Sequence, residues 1–258
     1  MFDRVGDVSD AGRSVHLRTL VGSIRPVALA GQRQLPLDPA LTTLFPPGGL
    51  QRGSTVVVGT GSTRAQGTLS LALALAAGVS SSGSWCAAVG LAELGVLAAA
   101  ELGVALHRLA LVPRVDPTRW TATVGTLLDT VDLVLARPPA HLRPGDARRL
   151  TARARERGSV LVPVLTDPVP AGPWAEGADM RLTVQTTTWY GPGTGEGHLS
   201  ARLLEIATGG RRAAARPRSV ELWLPALDGR WRIADRPAAE TPPGTHRLLD
   251  LDVAAPTG

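Results

Sequence analysis

Ser54-Thr55-Val56-Val57-Val58-Gly59-Thr60-Gly61-Ser62-Thr63-Arg64-Ala65-Gln66-Gly67-Thr68 is the stretch on which the fold turns. Its first part is β-branched and apolar without a break, as in a strand buried on both faces. Gly, Ser and Thr then dominate, and the residues from Thr68 to Ala77 are rich in the helix formers Leu and Ala. Strand, small-residue loop and helix together make the layout of a phosphate-binding loop, whose backbone N–H groups and helix N-terminus face an anion. The loop would use Gly59, Gly61, Ser62, Arg64, Gln66, Gly67 and Thr68. A complete loop reads G-x-x-x-x-G-K-[ST], in which lysine reaches the terminal phosphates and the hydroxyl holds magnesium. The chain contains no lysine at all. Arg64 has a longer, planar head that does not reproduce a point charge in that cradle. The competing reading is a strand-to-helix turn that keeps the glycines without the chemistry.

The same alternation continues outward. Trp85 to Val89 reads as a strand, Ala92 to Leu102 as a helix ended by Gly103, and Leu109 to Val112 as a strand. Arg119 to Leu128 and Asp146 to Arg157 read as helices, Leu133 to Leu135 as a strand, and Ser159 to Leu165 as a strand with Pro163 inside it. Short apolar strands between helices predict an α/β fold, a mostly parallel sheet covered on both faces. Beyond Asp167 the pattern becomes alternating over Met180–Gln185, Leu199–Ala207 and Ser219–Leu224, which predicts a C-terminal antiparallel extension. The division expected is an N-terminal segment (1–34), a core domain (35–233) and a flexible C-terminal tail (234–258).

Composition narrows the function classes. Of 258 residues 44% are hydrophobic and Cys86 is the one cysteine, which excludes a disordered chain and a disulfide scaffold. All 27 basic residues are arginine, so almost nothing titrates above neutral pH, and a pI near 10.9 coexists with a formal charge of only +5. Met1 to Ser14 has no apolar leader, and the longest apolar stretch, Trp85 to Leu106, is broken by Glu93 and Glu101. A soluble, cytoplasmic protein without membrane contact is expected, with nucleoid association open to it. His16, His107, His141, His198 and His246 show no ligand spacing with one another or with Cys86, so no metal and no cofactor is expected.

Gly48-Gly49-Leu50-Gln51-Arg52-Gly53 ahead of the Val56–Gly59 strand resembles the approach to the nucleotide site of RecA recombinases. The resemblance continues as weak blocks through Trp85–Val89, Ala100–Val104, Val131–Leu135, Ala178–Leu182 and Arg202–Ile206 to Glu221-Leu222-Trp223. It implies a RecA-like fold, and the departures fall where the chemistry would be. Ala65 or Gln66 stands at the phosphate-loop lysine, and Ala92 at the catalytic glutamate, with Glu93 one residue off. Ala136 or Arg137 stands at the magnesium-linked aspartate, and Leu165 near the phosphate-sensing glutamine. Together these losses imply a RecA-like chain without ATP hydrolysis, a reaction that rests on lysine and metal stabilisation. Size, arginine richness and the eroded site resemble the actinobacterial mutasome accessory proteins (the ImuA-prime group). That likeness implies a scaffold in DNA repair or damage-induced translesion mutagenesis, partnered by a Y-family polymerase homologue or other repair proteins, with self-association open to it.

Seven arginines lie between Arg137 and Arg157 against Asp146 and Glu156. Arg149, Arg153 and Arg157, four residues apart, share a helical face, and Arg143 and Arg148 lie beside them. A second group, Arg211, Arg212, Arg216 and Arg218, falls between the last two strands. These residues suit DNA phosphates or an acidic partner; the bland alternative is a solvated surface. By the same resemblance His141–Arg149 corresponds to a DNA-facing loop. The second such loop, Asp167–Gly177, is Pro-rich and carries no basic residue. Trp174, Trp189 and Tyr190 suit either base stacking or the edge of a core.

Overall fold

A computed structural model describes residues 33–46, 49–62, 65–166, 172–174, 177–191, 199–211, 217–227, 229, 231–234 and 246–248. Two short strands, β1 (Gln34–Leu35) and β2 (Leu50–Gln51), pair as a hairpin around α1 (Pro39–Thr42), whose N-terminus Asp38 caps through its carboxylate. The parallel set follows: β3 (Val56–Thr60), α2 (Thr68–Ser81), β4 (Cys86–Val89), α3 (Val96–Glu101), β5 (Leu109–Val112), α4 (Pro117–Thr130), β6 (Leu133–Ala136), α5 (Pro144–Arg157) and β7 (Val160–Leu165). The extension comprises β8 (Met180–Gly191), β9 (Ala201–Gly210), β10 (Arg218–Trp223) and β11 (Arg232–Ile233). One sheet runs β11-β10-β9-β8-β3-β7-β6-β4-β5, and β12 (His246–Leu248), within the segment expected to be a tail, pairs antiparallel with the end of β8. This is the mostly parallel, helix-flanked sheet with an antiparallel C-terminal part that the sequence implies.

Strand periodicity sorts the core into two layers. Val56 and Val58, Leu133 and Leu135, and Val160, Val162 and Val164 face the layer formed with α2. Their neighbours Val57, Val134 and Leu161 face Trp120, Val124 and Leu128 of α4 and Leu150 and Ala154 of α5. Cys86 is buried in the first layer, where loss of hydration pushes its thiol up to about 12. Trp174 and Tyr190 are buried, Tyr190 against Trp223 with ring centroids 5.0 Å apart, so neither offers a free face to a base. No helix among the described residues is long and apolar enough to cross a membrane.

Three local features of these elements have physical causes. Pro163 sits in an interior strand, where a missing N–H breaks the ladder. The β3–β7 pairing is accordingly interrupted between the Thr55–Leu161 bridge and the Val58–Val164 pair. The helix expected over Ala92–Leu102 begins only at Val96, because Leu91–Leu94 close a separate turn and Gly95 is extended as the N-cap. And β8 outruns Gln185 to Gly191, with a bulge between Val184 and Thr186 where it pairs with β9.

Candidate functional site

The loop after β3 is closed upon itself. The Thr60 hydroxyl donates within 2.7 Å of the Ser62 carbonyl and 2.8 Å of the Ala65 carbonyl. The Gly61 N–H donates to the Val184 carbonyl of β8 at 2.8 Å, and the Ala65 N–H to the carbonyl and hydroxyl oxygens of Ser62, both at 3.2 Å. An anion nest needs such N–H groups unspent and pointing outward. Here those of Gly61 and Ala65 are spent inside the protein. The carbonyl of Gln66 in turn accepts from the Thr187 hydroxyl at 2.6 Å.

Side chains also fill the space beside the loop glycines. The bulge in β8 re-aims Gln185, whose Oε1 lies 2.5 Å from where a Cβ on Gly61 would stand. Gly67, at φ 116, is the residue before α2; the Leu204 methyls lie 2.9 and 3.1 Å from its would-be Cβ, and Arg202 Cζ 3.5 Å. Gly59 lies in the buried β3, and Thr68 is buried as the first residue of α2. Arg64 lies outside the described residues.

At the same end of the sheet, Arg137 Nη1 donates to Glu93 Oε2 at 3.0 Å, with a second contact from Nη2 to Oε1. The one carboxylate near the expected general-base position is thus held by a guanidinium, and β6 ends on Ala136 rather than on a metal-binding acid. Among the described residues, then, the Gly61 and Ala65 N–H groups and the Glu93 carboxylate, three groups that a nucleoside triphosphate with magnesium would call on, are engaged within the protein.

The arginines of α5 divide into two faces. Arg153 and Arg157 both bind Asp129 near the C-terminus of α4, Arg153 Nε at 2.8 Å and Arg157 Nε at 3.0 Å from Oδ1, with a further contact from Arg153 Nη2 to Oδ2. An acid in the last turn of a helix opposes the helix dipole, and the two guanidinium groups compensate. Hydrogen bonding from Arg153, aided by both nearby charges, holds the Asp129 carboxyl down at about 2. The native carboxyl titrates below the unfolded value of about 3.9. The stability it adds is therefore complete above pH ~4 and disappears as pH falls from there to ~2. Thermal melts of the wild-type chain and Asp129→Asn should be well separated at pH 6 and converge by pH 2. A gap that is constant across that range refutes the linkage.

Arg148 and Arg155, seven residues apart, occupy the other face. Two adjacent clefts of about 570 and 470 Å³ share Arg155 and Arg211 as wall residues; Arg52 lines the first and Arg148 the second. The two arginine groups, distant in sequence, meet here. Arg155 Nη2 lies 3.4 Å from Asp179, and Arg52 Nη1 donates to Asp132 at 2.7 Å. No carboxylate among the described residues pairs with Arg148 or Arg211. Arg149 sits 3.5 Å from Asp146, Arg143 precedes α5, and Arg218 opens β10 away from either cleft. Arg212 and Arg216 lie outside the described residues. Arg52 and Arg155 do not stand out in the sequence as members of this group. The i, i+7 spacing of Arg148 and Arg155, with Asp129 waiting on α4 for the other row, is the signal that could have found them.

Comparison with known proteins places the chain. An uncharacterized protein of Mycobacterium tuberculosis (strain ATCC 25618 / H37Rv), Rv3395c, is 36% identical over 154 residues, spanning 56% of this chain and 71% of the relative. The flagellar accessory protein FlaH of Methanocaldococcus jannaschii superposes with a TM-score of 0.48 at 14% identity, covering 74% of this chain and 92% of that one. The family model described as the MT3502 N-terminal domain matches residues 43–171, half of the chain. That span contains the closed loop, the Glu93–Arg137 pair and the arginine helix α5, and so the chain belongs to the MT3502 N-terminal domain family.

Proposed function

We propose that this protein is a catalytically inactive RecA-like scaffold that acts through protein–protein contacts in DNA repair or damage-induced translesion mutagenesis. Its partner on this reading is a Y-family polymerase homologue or another repair protein, met in the cytoplasm or at the nucleoid. The observation that carries the inactive reading is the self-closed loop: Gly61 and Ala65 N–H groups spent on protein oxygens, Gln185 beside Gly61, and Glu93 held by Arg137. A fold that keeps its sheet while spending its catalytic loop on internal bonds retains surfaces for binding and nothing for phosphoryl transfer.

The test has two arms. Purified protein with ATP and magnesium should turn over at the background rate and give no binding heat. Turnover that disappears in Glu93→Gln or Thr68→Ala overturns the inactive reading. Tagged protein recovered from cells after DNA damage should carry a polymerase homologue or a repair protein with it; recovery with unrelated enzymes alone overturns the partner reading. A second reading, a DNA-binding RecA relative that uses its arginine patches and is nucleotide-independent or weakly ATP-binding, is favoured by one observation: Arg148, Arg155 and Arg211 converge on the walls of one cleft.

A further inference from the structure

We propose that Arg52, Arg148, Arg155 and Arg211 line a single trough that holds the sugar–phosphate backbone of a single-stranded nucleic acid. The inference rests on the DNA-binding reading above and gives it a location. The trough opens where Ser54 leads into β3 and Asp179 into β8, the N-terminal ends of parallel strands, and continues along α5. The closed loop lies at the opposite, C-terminal end of β3. Binding in the trough is therefore independent of that loop.

The chemistry points to a ligand with several anionic groups in series. Arg148 and Arg155 are seven residues apart on one helix, about 10 Å along its axis, which exceeds the span of a single phosphate ion. Arg211 stands across from Arg155 in both clefts, and Arg52 extends the row at one end. Among the described residues Asp179 is the one acid lining either cleft, and it is already occupied by the Thr55 N–H at 3.0 Å and by Arg155. Guanidinium groups recognise phosphate oxygens in bidentate fashion. The four side chains are exposed to solvent on the walls of two adjoining concave clefts, a shape that suits a flexible strand better than the broad, convex surface of a duplex. Gly49 and Gly172 on the walls, with nothing within 4 Å of a would-be Cβ, let a bulky backbone approach closely. Of the strands that open onto the trough, β3 and β8 are interior to the large sheet, and β2, an edge of the small β1–β2 sheet, is only two residues long, too short for an acidic peptide to extend. Among the described residues no exposed aromatic lines either cleft, so binding should be indifferent to sequence.

Fluorescence anisotropy of the full chain with labelled oligothymidylate, titrated against salt, tests this. Binding should persist at physiological salt and exceed that of a duplex of equal length. Arg148→Ala/Arg211→Ala, which breaks no ion pair among the described residues, should weaken binding at least tenfold and reduce the salt slope by about 0.7 for each phosphate left without its arginine. Adding Arg155→Ala should weaken it further, while Arg114→Ala, outside the trough, should bind as wild type. Melting curves of each variant confirm folding. Wild-type affinity in the double variant overturns the trough and leaves nucleic-acid binding standing. Absence of oligonucleotide binding by the wild-type chain overturns both. Displacement of the oligonucleotide by polyglutamate at lower charge concentration than by unlabelled oligonucleotide assigns the trough to an acidic protein and overturns the proposal.

Discussion

Gly78→Ala is expected to lower the melting temperature, in opposition to the helix rule. Gly78 lies inside α2, where alanine is ordinarily better by about 1 kcal/mol. A Cβ at this position would stand 2.9 Å from Leu37 Cα, 2.9 Å from the Pro36 carbonyl oxygen and 3.0 Å from the Asp38 nitrogen. All three are backbone atoms, so no rotamer change relieves the clash. The segment from β1 to α1 would have to lift, and it is anchored by the buried Leu35, Leu41 and Leu44. Overpacking of this kind costs about 1–3 kcal/mol. Less the helix gain of about 1 kcal/mol, the net loss reaches about 2 kcal/mol at the upper end that a clash with backbone demands, a fall of roughly 4–8 °C in Tm for a chain of this size. Gly145→Ala is the control: it lies in the first turn of α5 with nothing within 4 Å of its would-be Cβ, and should be neutral or slightly stabilising. Differential scanning calorimetry on both variants decides it, and a higher Tm for Gly78→Ala refutes the packing argument.

The same contrast between local and long-range information explains what the sequence could show. Strands such as Val56–Thr60 and Leu133–Ala136 are legible because both faces are buried and every position is apolar or small. Helix α5 is legible because Leu150 and Ala154 mark its buried side and Gly158 its end. What decides the site is not local. The spent N–H of Gly61 depends on Val184, more than 120 positions away, and the blocking side chain on a bulge at Gln185. No spacing within the loop announces either. The missing lysine is visible in the sequence and already speaks against hydrolysis; the internal closure that supports the same conclusion is visible only in three dimensions. Likewise the i, i+4 arginine row looks like the open face of α5. Asp129, on a different helix, engages Arg153 and Arg157 of that row and leaves Arg148 and Arg155 as the face lining the cleft.

Arg202→Ala should be among the most damaging single changes outside the central strands, at about 3–4 kcal/mol, through an orphaned buried carbonyl and an unfilled gap. Arg202 is only 8% exposed, and burial pushes its guanidinium down to about 10, so it remains charged at neutral pH. A buried cation is costly unless it is well coordinated. Its Nε donates to the Leu224 carbonyl at 2.7 Å, and its Cζ lies 4.9 Å from the Trp189 ring centroid. It also stands behind Gly67 at the head of α2, so one side chain joins β8, β9, the end of β10 and the start of the loop helix. Alanine removes every one of these interactions. Arg202→Met keeps most of the volume and loses the donor and the charge, so it should cost about half as much. Arg202→Lys keeps the charge without the planar donor that reaches Leu224, and should fall between the two. None of the three should confer ATP binding, because the Gly61 and Ala65 N–H groups stay bonded to Val184 and Ser62 whatever stands at position 202. Chemical denaturation of the series, with ATP titrations on the same samples, checks both halves. An Arg202→Ala chain as stable as wild type sinks the first, and nucleotide binding gained in any variant sinks the second.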